Sequence, residues 1–562
     1  MSARERIERT LDALDALDDP AVLIGPAFAD LALAQADALD AIDPMTVALH
    51  GVPFVVKDNI DVAGVPTTAA CPDYSYVPAD DARAVARLRA AGAIAVAKTN
   101  LDQFATGLVG TRSPYGTPRN PFDATVVPGG SSSGSAVAVA LGLVPLSLGT
   151  DTAGSGRVPA AMCGIVGFKG TLGRVSTRGV VPAVRRADCT TVFAHTVHDA
   201  ALAMGIIGVH DADDPWSRLP PSVGTARAVR VIGVVSGWPE RLLDDHTRAL
   251  YDRACHRMAD LGFQLAPIDL APFLAAGSLL YDGPLVAERQ VAVGDALQHA
   301  RGADPTVSKI VLGATRWSAA DAYSAEYRLT ELRHGCRSVF EHVDAIALPT
   351  AGGIATLADV AADPIGANAR LGRLTTFANL LDLACVAVPM GMRPDGVPSG
   401  LQLIGPAWSD DVLAVAAASF LGETAPLPTL AARDEVELVV VGAHLRGQPL
   451  NSQLTDRGAR FLRATTTSAA YRLYAMAATT PPKPALVRSE VGGASIAVEV
   501  WSMPVEQLGS FLTIVPAPLC LGTVELDDGS WQKGFLCEPR AIDGALEITQ
   551  HGGWLAYRST VG

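Results

Sequence analysis

The chain has 562 residues, 49% of them hydrophobic and 18% charged, which is typical of a folded protein with more than one domain and excludes extensive disorder. The formal net charge of −14 argues against nucleic acid or an anionic membrane as a partner, because both would repel the protein. The eight cysteines are scattered without a CxxC pair, so we predict neither a zinc site nor a disulfide framework, and we expect a cytoplasmic location.

The first part of the chain has an α/β pattern. Its N-terminus alternates charged and apolar residues at helical spacing and lacks the apolar core of a signal peptide. DARAVARLRAAG (81–92) predicts a helix that ends at Gly92, and AIAVAKTN after it predicts a buried strand. SGSAVAVALG then predicts a second helix, and LVPLSLGTD predicts a strand that leads into a serine-containing turn. Loops at strand ends and helix starts are the usual place for sites in open α/β sheets.

The composition changes near residue 422. GETAPLPTLAARDE (422–435) contains two prolines and a charged end, and predicts a linker. VELVVVGAH, SIAVEVWSM and LCLGTVELDDGSWQKGFLCEP predict strands, the last as a hairpin around Asp528 and Gly529. We therefore predict a large domain over 1–425 and a separate α+β or barrel-like domain over 436–562.

Three segments carry the parts of an acyl-transfer site: Lys57 in VVKDN, Ser131 in GGSSSGSA and Ser155 in GTDTAGSGR. A serine that attacks a carbonyl must pass its proton to a base, and a lysine can serve if burial or a nearby cation keeps it neutral. Glycine-rich loops let backbone N–H groups approach a ligand and stabilise an oxyanion. A phosphate loop is the weaker alternative for GGSSSGSA, because no GxxxxGK[ST] pattern is present.

The stretch from about Gly51 to Asp199 resembles the amidase signature family, which uses a Ser-Ser-Lys triad. The resemblance implies that Ser155 is the nucleophile, that Ser131 relays the proton after a cis Gly130–Ser131 bond, and that Lys57 is the base. It also implies oxyanion donors at the backbone N–H groups of Thr152, Ala153, Gly154 and Ser155.

Ser133 and Ala153 replace glycines of the common family pattern, and these departures resemble the allophanate hydrolase branch. KTNLDQFATGLVGTRSPYG (98–116) and STRGVVPA (176–183) resemble the same branch. The likeness implies an α/β domain with a central mixed sheet flanked by helices, and a C-terminal α+β domain similar to the γ-glutamylcyclotransferase fold. The implied reaction converts allophanate (urea-1-carboxylate) to ammonia and N-carboxycarbamate, which then yields carbon dioxide, with no metal or organic cofactor.

The branch acts in ATP-dependent urea breakdown, so the resemblance implies a urea carboxylase as functional partner, and we expect a homo-oligomer. Two rival functions stay open at this point. The chain could be a broad-specificity amidase, or an amidotransferase subunit that is active only with its partner chains.

Tyr281 and Arg289 in LLYDGPLVAERQ are the sharpest candidates for substrate binding. Their spacing of eight residues would place both on one face of a helix. An arginine binds a carboxylate by two parallel hydrogen bonds, and a tyrosine hydroxyl adds a third donor. In the allophanate hydrolase branch a similar pair grips the substrate carboxylate. The alternative is a surface arginine with a core tyrosine.

Arg157 and two histidines complete the set of candidates. Arg157, close to the nucleophile, would bind substrate or, alternatively, pair with an acid such as Asp151. His551 in TQHGGW is the candidate proton donor for the second step, because histidine titrates near neutrality; the alternative is a histidine that only caps a terminal strand. His444 in VGAHLRG is a possible further member of that site. His195 and His198 lack a third ligand, so a packed or exposed pair is expected there.

Overall fold

The computed structural model describes residues 2–220, 228–281, 283–424, 435–476 and 479–561. These residues form two compact units, one within 2–424 and the other within 435–561. Most of the predicted linker lies outside the described residues, so the domain limits at 425 and 436 stay predictions. Among the described helices, none is both long enough and apolar enough to cross a membrane.

A ten-stranded mixed sheet forms the centre of the larger unit, in the order β2-β1-β3-β5-β4-β9-β10-β8-β6-β7. In chain order the strands are β1 (Pro53–Lys57), β2 (Ile94–Thr99), β3 (Leu146–Asp151), β4 (Val166–Lys169), β5 (Cys189–Ala194), β6 (Val231–Val234), β7 (Gln264–Pro267), β8 (Ala345–Pro349), β9 (Leu383–Met392) and β10 (Pro398–Pro406). β1 is parallel to β2 and β3, and β6 is parallel to β7 and β8, whereas the other pairs are antiparallel. The predicted mixed α/β architecture is therefore confirmed.

The helices of this unit pack against the sheet and against one another. In chain order they are α1 (Ala3–Asp15), α2 (Ala29–Asp40), α3 (Arg83–Ala90), α4 (Ser133–Ala140), α5 (Val158–Met162), α6 (Val197–Ile207), α7 (Asp245–Asp260), α8 (Ala271–Tyr281), α9 (Ala287–His299), α10 (Pro305–Leu312), α11 (Ala319–Val339), α12 (Leu357–Ala362), α13 (Gly366–Gly372), α14 (Thr376–Leu380) and α15 (Asp410–Leu421). The predictions for α3, β2, α4 and β3 are confirmed to within a few residues at each end.

Strand β1 shows how the sheet is buried on both faces. Successive side chains of a strand point to opposite faces. Phe54 and Val56 belong to one hydrophobic cluster, which includes residues of α3, α6 and α15. Val55 belongs to a second cluster with residues of α1, α2 and α4. The strand is therefore apolar throughout until it reaches its last residue, Lys57.

Parallel pairing of β1 and β3 explains why the lysine and serine loops meet. Lys57 ends β1 and Asp151 ends β3, so the carboxyl ends of these neighbours lie at the same edge of the sheet. The loop with Ser155 continues from β3, and Ser131 lies just before the first turn of α4. The chain thus delivers all three candidate triad residues from one edge.

The smaller unit has α+β character, with a five-stranded sheet in the order β12-β15-β11-β17-β16 and a three-stranded sheet in the order β14-β13-β18. Its elements are β11 (Glu435–Val440), α16 (Ser452–Thr455), β12 (Arg460–Thr466), β13 (Tyr471–Ala475), β14 (Pro484–Arg488), β15 (Ala497–Pro504), α17 (Val505–Leu512), β16 (Leu519–Glu525), β17 (Trp531–Cys537), β18 (Leu546–Glu547) and α18 (Trp554–Val561). β16 and β17 form the predicted hairpin around Asp528 and Gly529.

Candidate active site

Lys57 is completely buried at the end of β1. Its Nζ lies 2.8 Å from Ser131 Oγ and 2.7 Å from Thr150 Oγ1. Burial lowers the pKa of Lys57 to about 7, although the nearby carboxylates of Asp102 and Asp151 act to raise it. A large fraction of this amine is therefore neutral near pH 7 and able to accept a proton from the serine it contacts.

Ser131 is held by the segment around Asp102. The Gly130–Ser131 peptide bond is cis, as the resemblance implies. The Asp102 amide donates to Ser131 O at 3.1 Å, and the Gly130 amide donates to Leu108 O at 2.9 Å. A β-carbon at Gly130 would collide with the Asp102 carboxylate, so this close approach requires glycine. Steric packing thus explains why a glycine precedes Ser131.

Ser155 is buried, and its hydroxyl is held only weakly. Its Oγ donates to Gly107 O at 3.5 Å, the limit for a hydrogen bond. Among the described residues no hydrogen bond joins Ser155 to Ser131. In enzymes without substrate such catalytic contacts are often long and tighten when substrate binds.

The backbone around Ser155 corrects one predicted oxyanion donor. The Gly154 amide donates to Asp151 Oδ1 at 2.8 Å, so this N–H is already occupied. In the described part of the chain the amides of Thr152, Ala153 and Ser155 donate to no protein acceptor. These three N–H groups therefore remain as candidates to stabilise an oxyanion.

Arg157 does not bind substrate in this arrangement, which corrects the substrate-binding assignment in favour of the alternative pairing. Its side chain is fully buried and forms an ion pair with Asp151 at 2.9 Å. Nη1 also donates to Gln402 Oε1, and Nη2 to Thr375 O and Asn379 Oδ1, at 2.9–3.1 Å. Arg157 therefore supports the nucleophile loop by holding Asp151, which in turn accepts the Gly154 and Gly156 amides.

Sequence reasoning missed the residues that hold this loop from a distance. Thr375 Oγ1 donates to Ala153 O at 2.8 Å, and Asn379 Nδ2 donates to Asp151 O at 2.8 Å. Thr150, which contacts Lys57, also accepts from Asn59 Nδ2 at 3.3 Å. Isolated threonine and asparagine residues give no pattern, and Thr375 and Asn379 lie more than 200 positions from their partners, so no sequence signal would have found them.

Tyr281 and Arg289 do meet, but not on one helix as the spacing suggested. Tyr281 ends α8 and Arg289 lies in α9, because a 3₁₀ turn at Pro284–Val286 separates the two helices. Arg289 Nη2 donates to the Tyr281 hydroxyl at 3.0 Å. Arg289 is 1% exposed, and its Nε has no hydrogen-bond partner among the described residues. A buried guanidinium with an unused donor suits an anionic ligand.

The segment 105–107 connects this arginine to the nucleophile. Arg289 Nη1 donates to Thr106 Oγ1 at 2.8 Å and to Ala105 O at 3.2 Å, and the carbonyl of Gly107, the residue after Thr106, accepts from Ser155. The charge of Arg289 also contributes to the lowered pKa of Lys57. The arginine, the nucleophile and the base therefore belong to one site.

The smaller unit has a cavity of about 190 Å³ that is lined by His444, Gln453 and Lys483 among others. The His444 ring stacks on Phe535 at 5.0 Å and its Nε2 lies 3.0 Å from Gln453 Oε1. Burial lowers the pKa of His444 below its usual range. His551 is half-buried, contacts Tyr557 edge to face at 5.4 Å, and does not line this cavity.

Among the described residues, no group of three His, Cys, Asp or Glu side chains is placed to hold a metal ion. His198 lies in the first turn of α6, whereas His195 precedes the helix and is exposed. The two histidines therefore do not share a helix face.

Comparison with known proteins matches both units. Residues 5–413 match the amidase family model and residues 436–559 match the allophanate hydrolase C-terminal domain. Urea amidolyase of Saccharomyces cerevisiae is 42% identical over 545 residues, which cover 91% of this chain but only 30% of that relative. A glutamyl-tRNA(Gln) amidotransferase subunit of Cyanothece is 33% identical over 73% of this chain and 92% of its own length.

A solved structure of a serine-to-alanine variant of Kluyveromyces lactis allophanate hydrolase is 38% identical, with a TM-score of 0.80, and covers 100% of this chain and 97% of that one. The family expected from the serine and lysine motifs is confirmed. The chain belongs to the amidase family and carries the C-terminal domain found in allophanate hydrolases.

Proposed function

We propose that this protein is an allophanate hydrolase that acts in urea degradation. The observation that carries the proposal is the contact of Arg289 with Thr106, one residue from the carbonyl that accepts from Ser155. A simple amidase needs only a nucleophile, a base and an oxyanion site, whereas a buried arginine beside them selects an amide that bears a carboxylate. Allophanate has both groups.

In the first step Ser155 Oγ attacks the terminal amide carbonyl of allophanate while its proton passes through Ser131 to neutral Lys57. The tetrahedral oxyanion is stabilised by the amides of Thr152, Ala153 and Ser155. Collapse breaks the C–N bond, and the proton returns from Lys57 to the leaving nitrogen, which departs as ammonia. Water then attacks the acyl-enzyme by the same proton path and yields N-carboxycarbamate.

The second step, loss of carbon dioxide from N-carboxycarbamate, is assigned to the C-terminal unit. His551 is the candidate proton donor proposed from the sequence. The cavity with His444 and Lys483 supports placing an anion in this unit, because it combines a cation with a partly buried imidazole. Either histidine would protonate the nitrogen of the developing carbamate.

A urea carboxylase is the proposed functional partner. Urea amidolyase relatives fuse an allophanate hydrolase with a urea carboxylase, and this chain spans about 30% of the length of the yeast protein. For the present protein, the urea carboxylase would be either a separate protein or another part of a longer polypeptide. A cytoplasmic location and a homo-oligomeric state stay predictions.

Ammonia release measured side by side from allophanate, malonamate and a simple aliphatic amide tests the proposal. We expect allophanate to give the highest kcat/KM, and the aliphatic amide the lowest because it lacks the carboxylate. Equal rates on all three would favour a broad amidase. Activity that depends on added partner chains would favour an amidotransferase component.

A further inference from the structure

The larger unit has a cavity whose lining includes none of the candidate active-site residues named above. Its volume is about 340 Å³. Its walls include residues 241–244, in the loop after β6, and residues 352–355, in the loop after β8. β6 and β8 are parallel neighbours, so both loops leave the sheet at the same edge. The crevice outside the carboxyl ends of parallel strands is where open α/β sheets bind ligands.

The charge around this cavity is positive. Arg241, Arg370 and Arg373 line it, and Asp244 is the one carboxylate among its lining residues. The charge of Asp244 is already balanced by Arg393, whose Nη1 lies 2.9 Å away. Arg373 has no hydrogen-bond or ion-pair partner in the described ranges, whereas Arg370 and Arg241 form only long, exposed ion pairs, with Asp363 at 3.8 Å and with Glu240 at 3.7 Å. In a chain with a net charge of −14, this cluster is a local exception.

The loop after β8 adds unused backbone donors. The amides of residues 351–355 donate to no acceptor within the described part of the chain. Ala355 lines the cavity and is only 2% exposed, and a buried N–H without a partner is costly. A β-carbon at Gly353 would lie 2.5 Å from Asp244 Oδ2, so glycine is required for the two loops to approach this closely.

We propose that this cavity binds a small oxyanion with two or more negative charges, of the phosphate or polycarboxylate class. Guanidinium groups and convergent backbone N–H groups are the donors that recognise carboxylate and phosphate oxygens. The volume lies at the lower end of the roughly 300–1,000 Å³ that is usual for small-molecule sites. Neither apolar surface nor a metal is needed for this ligand chemistry.

Isothermal titration calorimetry of the full chain with inorganic phosphate and with citrate, at constant ionic strength, tests the site. We expect saturable binding of at least one anion, weakened roughly tenfold by either Arg370→Ala or Arg373→Ala, because each removes a charge-assisted hydrogen bond. The anion that binds more tightly shows whether the natural ligand belongs to the phosphate class or to the polycarboxylate class. Arg328→Ala removes an exposed arginine of α11 outside the cavity and should leave the affinity unchanged.

An Arg289→Ala variant distinguishes this cavity from the candidate active site, because it removes the buried cation proposed to hold substrate. Its affinity for the anion should match that of the unchanged protein. Loss of binding in Arg289→Ala would overturn the proposal, since the anion would then occupy the active site. Equal affinity in the Arg370→Ala and Arg373→Ala variants and the unchanged protein, or no saturable binding up to about 10 mM anion, would overturn it as well.

Discussion

Lys57 Nζ and Ser131 Oγ are 2.8 Å apart although 74 positions separate the two residues in the chain. Both side chains are completely buried, so the contact forms in a site from which water is largely excluded. A buried lysine without a carboxylate in direct contact is costly and is kept where its proton affinity is used. The contact is therefore the structural basis for assigning Lys57 as the base.

Ser155→Ala should abolish ammonia release while the protein stays folded, because the covalent route is lost. Lys57→Ala and Ser131→Ala should be nearly as damaging, since the three residues act as a unit. Circular dichroism and thermal melting check the fold, and ammonia release checks activity. A Ser155→Ala enzyme that keeps more than about a tenth of the rate would contradict the assignment.

The pH dependence of kcat/KM should report Lys57. Only the neutral amine accepts a proton, and the pKa of Lys57 is about 7, so the rate should fall about tenfold per pH unit below that value and level off above it. The positive charge of Arg289 helps to lower this pKa. Arg289→Met should therefore move the rising limb to higher pH with an uncharged amide substrate. Arg328→Met, in which an exposed arginine is lost, should leave the limb in place.

Arg289→Lys should harm the hydrolysis of allophanate much more than that of an uncharged amide. A lysine keeps the charge but cannot form the paired contact of a guanidinium with a carboxylate. The ratio of kcat/KM for the two substrates is the measurement. Tyr281→Phe, which removes only the hydroxyl that accepts from Arg289, should shift the ratio in the same direction but less. Equal losses on both substrates would indicate a structural role for the pair.

Arg157→Met should destabilise the larger unit rather than weaken substrate binding. Removing one partner of a buried ion pair leaves the Asp151 carboxylate without its guanidinium, which typically costs about 3–5 kcal/mol. Guanidinium chloride denaturation measures this loss. Arg119→Met breaks ion pairs of a half-exposed arginine and should cost less than about 1 kcal/mol. A fully stable Arg157→Met protein with a raised KM would restore the substrate-binding interpretation.

Local patterns in the sequence predict many helices, strands and turns of this fold, because residues close together in the chain determine these elements. The helix α3, the strand β3 and the β16–β17 hairpin follow from periodicity and turn residues alone. The roles of Lys57, Ser131 and Ser155 came from resemblance to a family. The sequence does not reveal the long-range contacts that Thr375 and Asn379 make with the nucleophile loop, because their partners lie more than 200 positions away. It also misses two local details: the engagement of the Gly154 amide by Asp151, and the break between α8 and α9 that separates Tyr281 from Arg289.

The last prediction concerns the C-terminal unit. Deleting residues 436–562 should leave the first ammonia release intact, because every proposed residue of that step lies in the larger unit. His551→Ala should slow the release of carbon dioxide from N-carboxycarbamate if His551 donates the proton. His444→Ala is the matched variant, because His444 lines the cavity. Burial lowers its pKa, so a smaller fraction of this imidazole carries the proton at neutral pH.

The two histidine variants are compared by carbon dioxide release at pH 7, with spontaneous decarboxylation subtracted. A slower rate in His551→Ala alone supports the sequence-based assignment. A slower rate in His444→Ala alone moves the proton donor to the cavity, where Lys483 would hold the carboxylate that stays behind. Wild-type rates in both variants would mean that neither histidine takes part and that the second step either uses other residues or needs no catalysis by this unit.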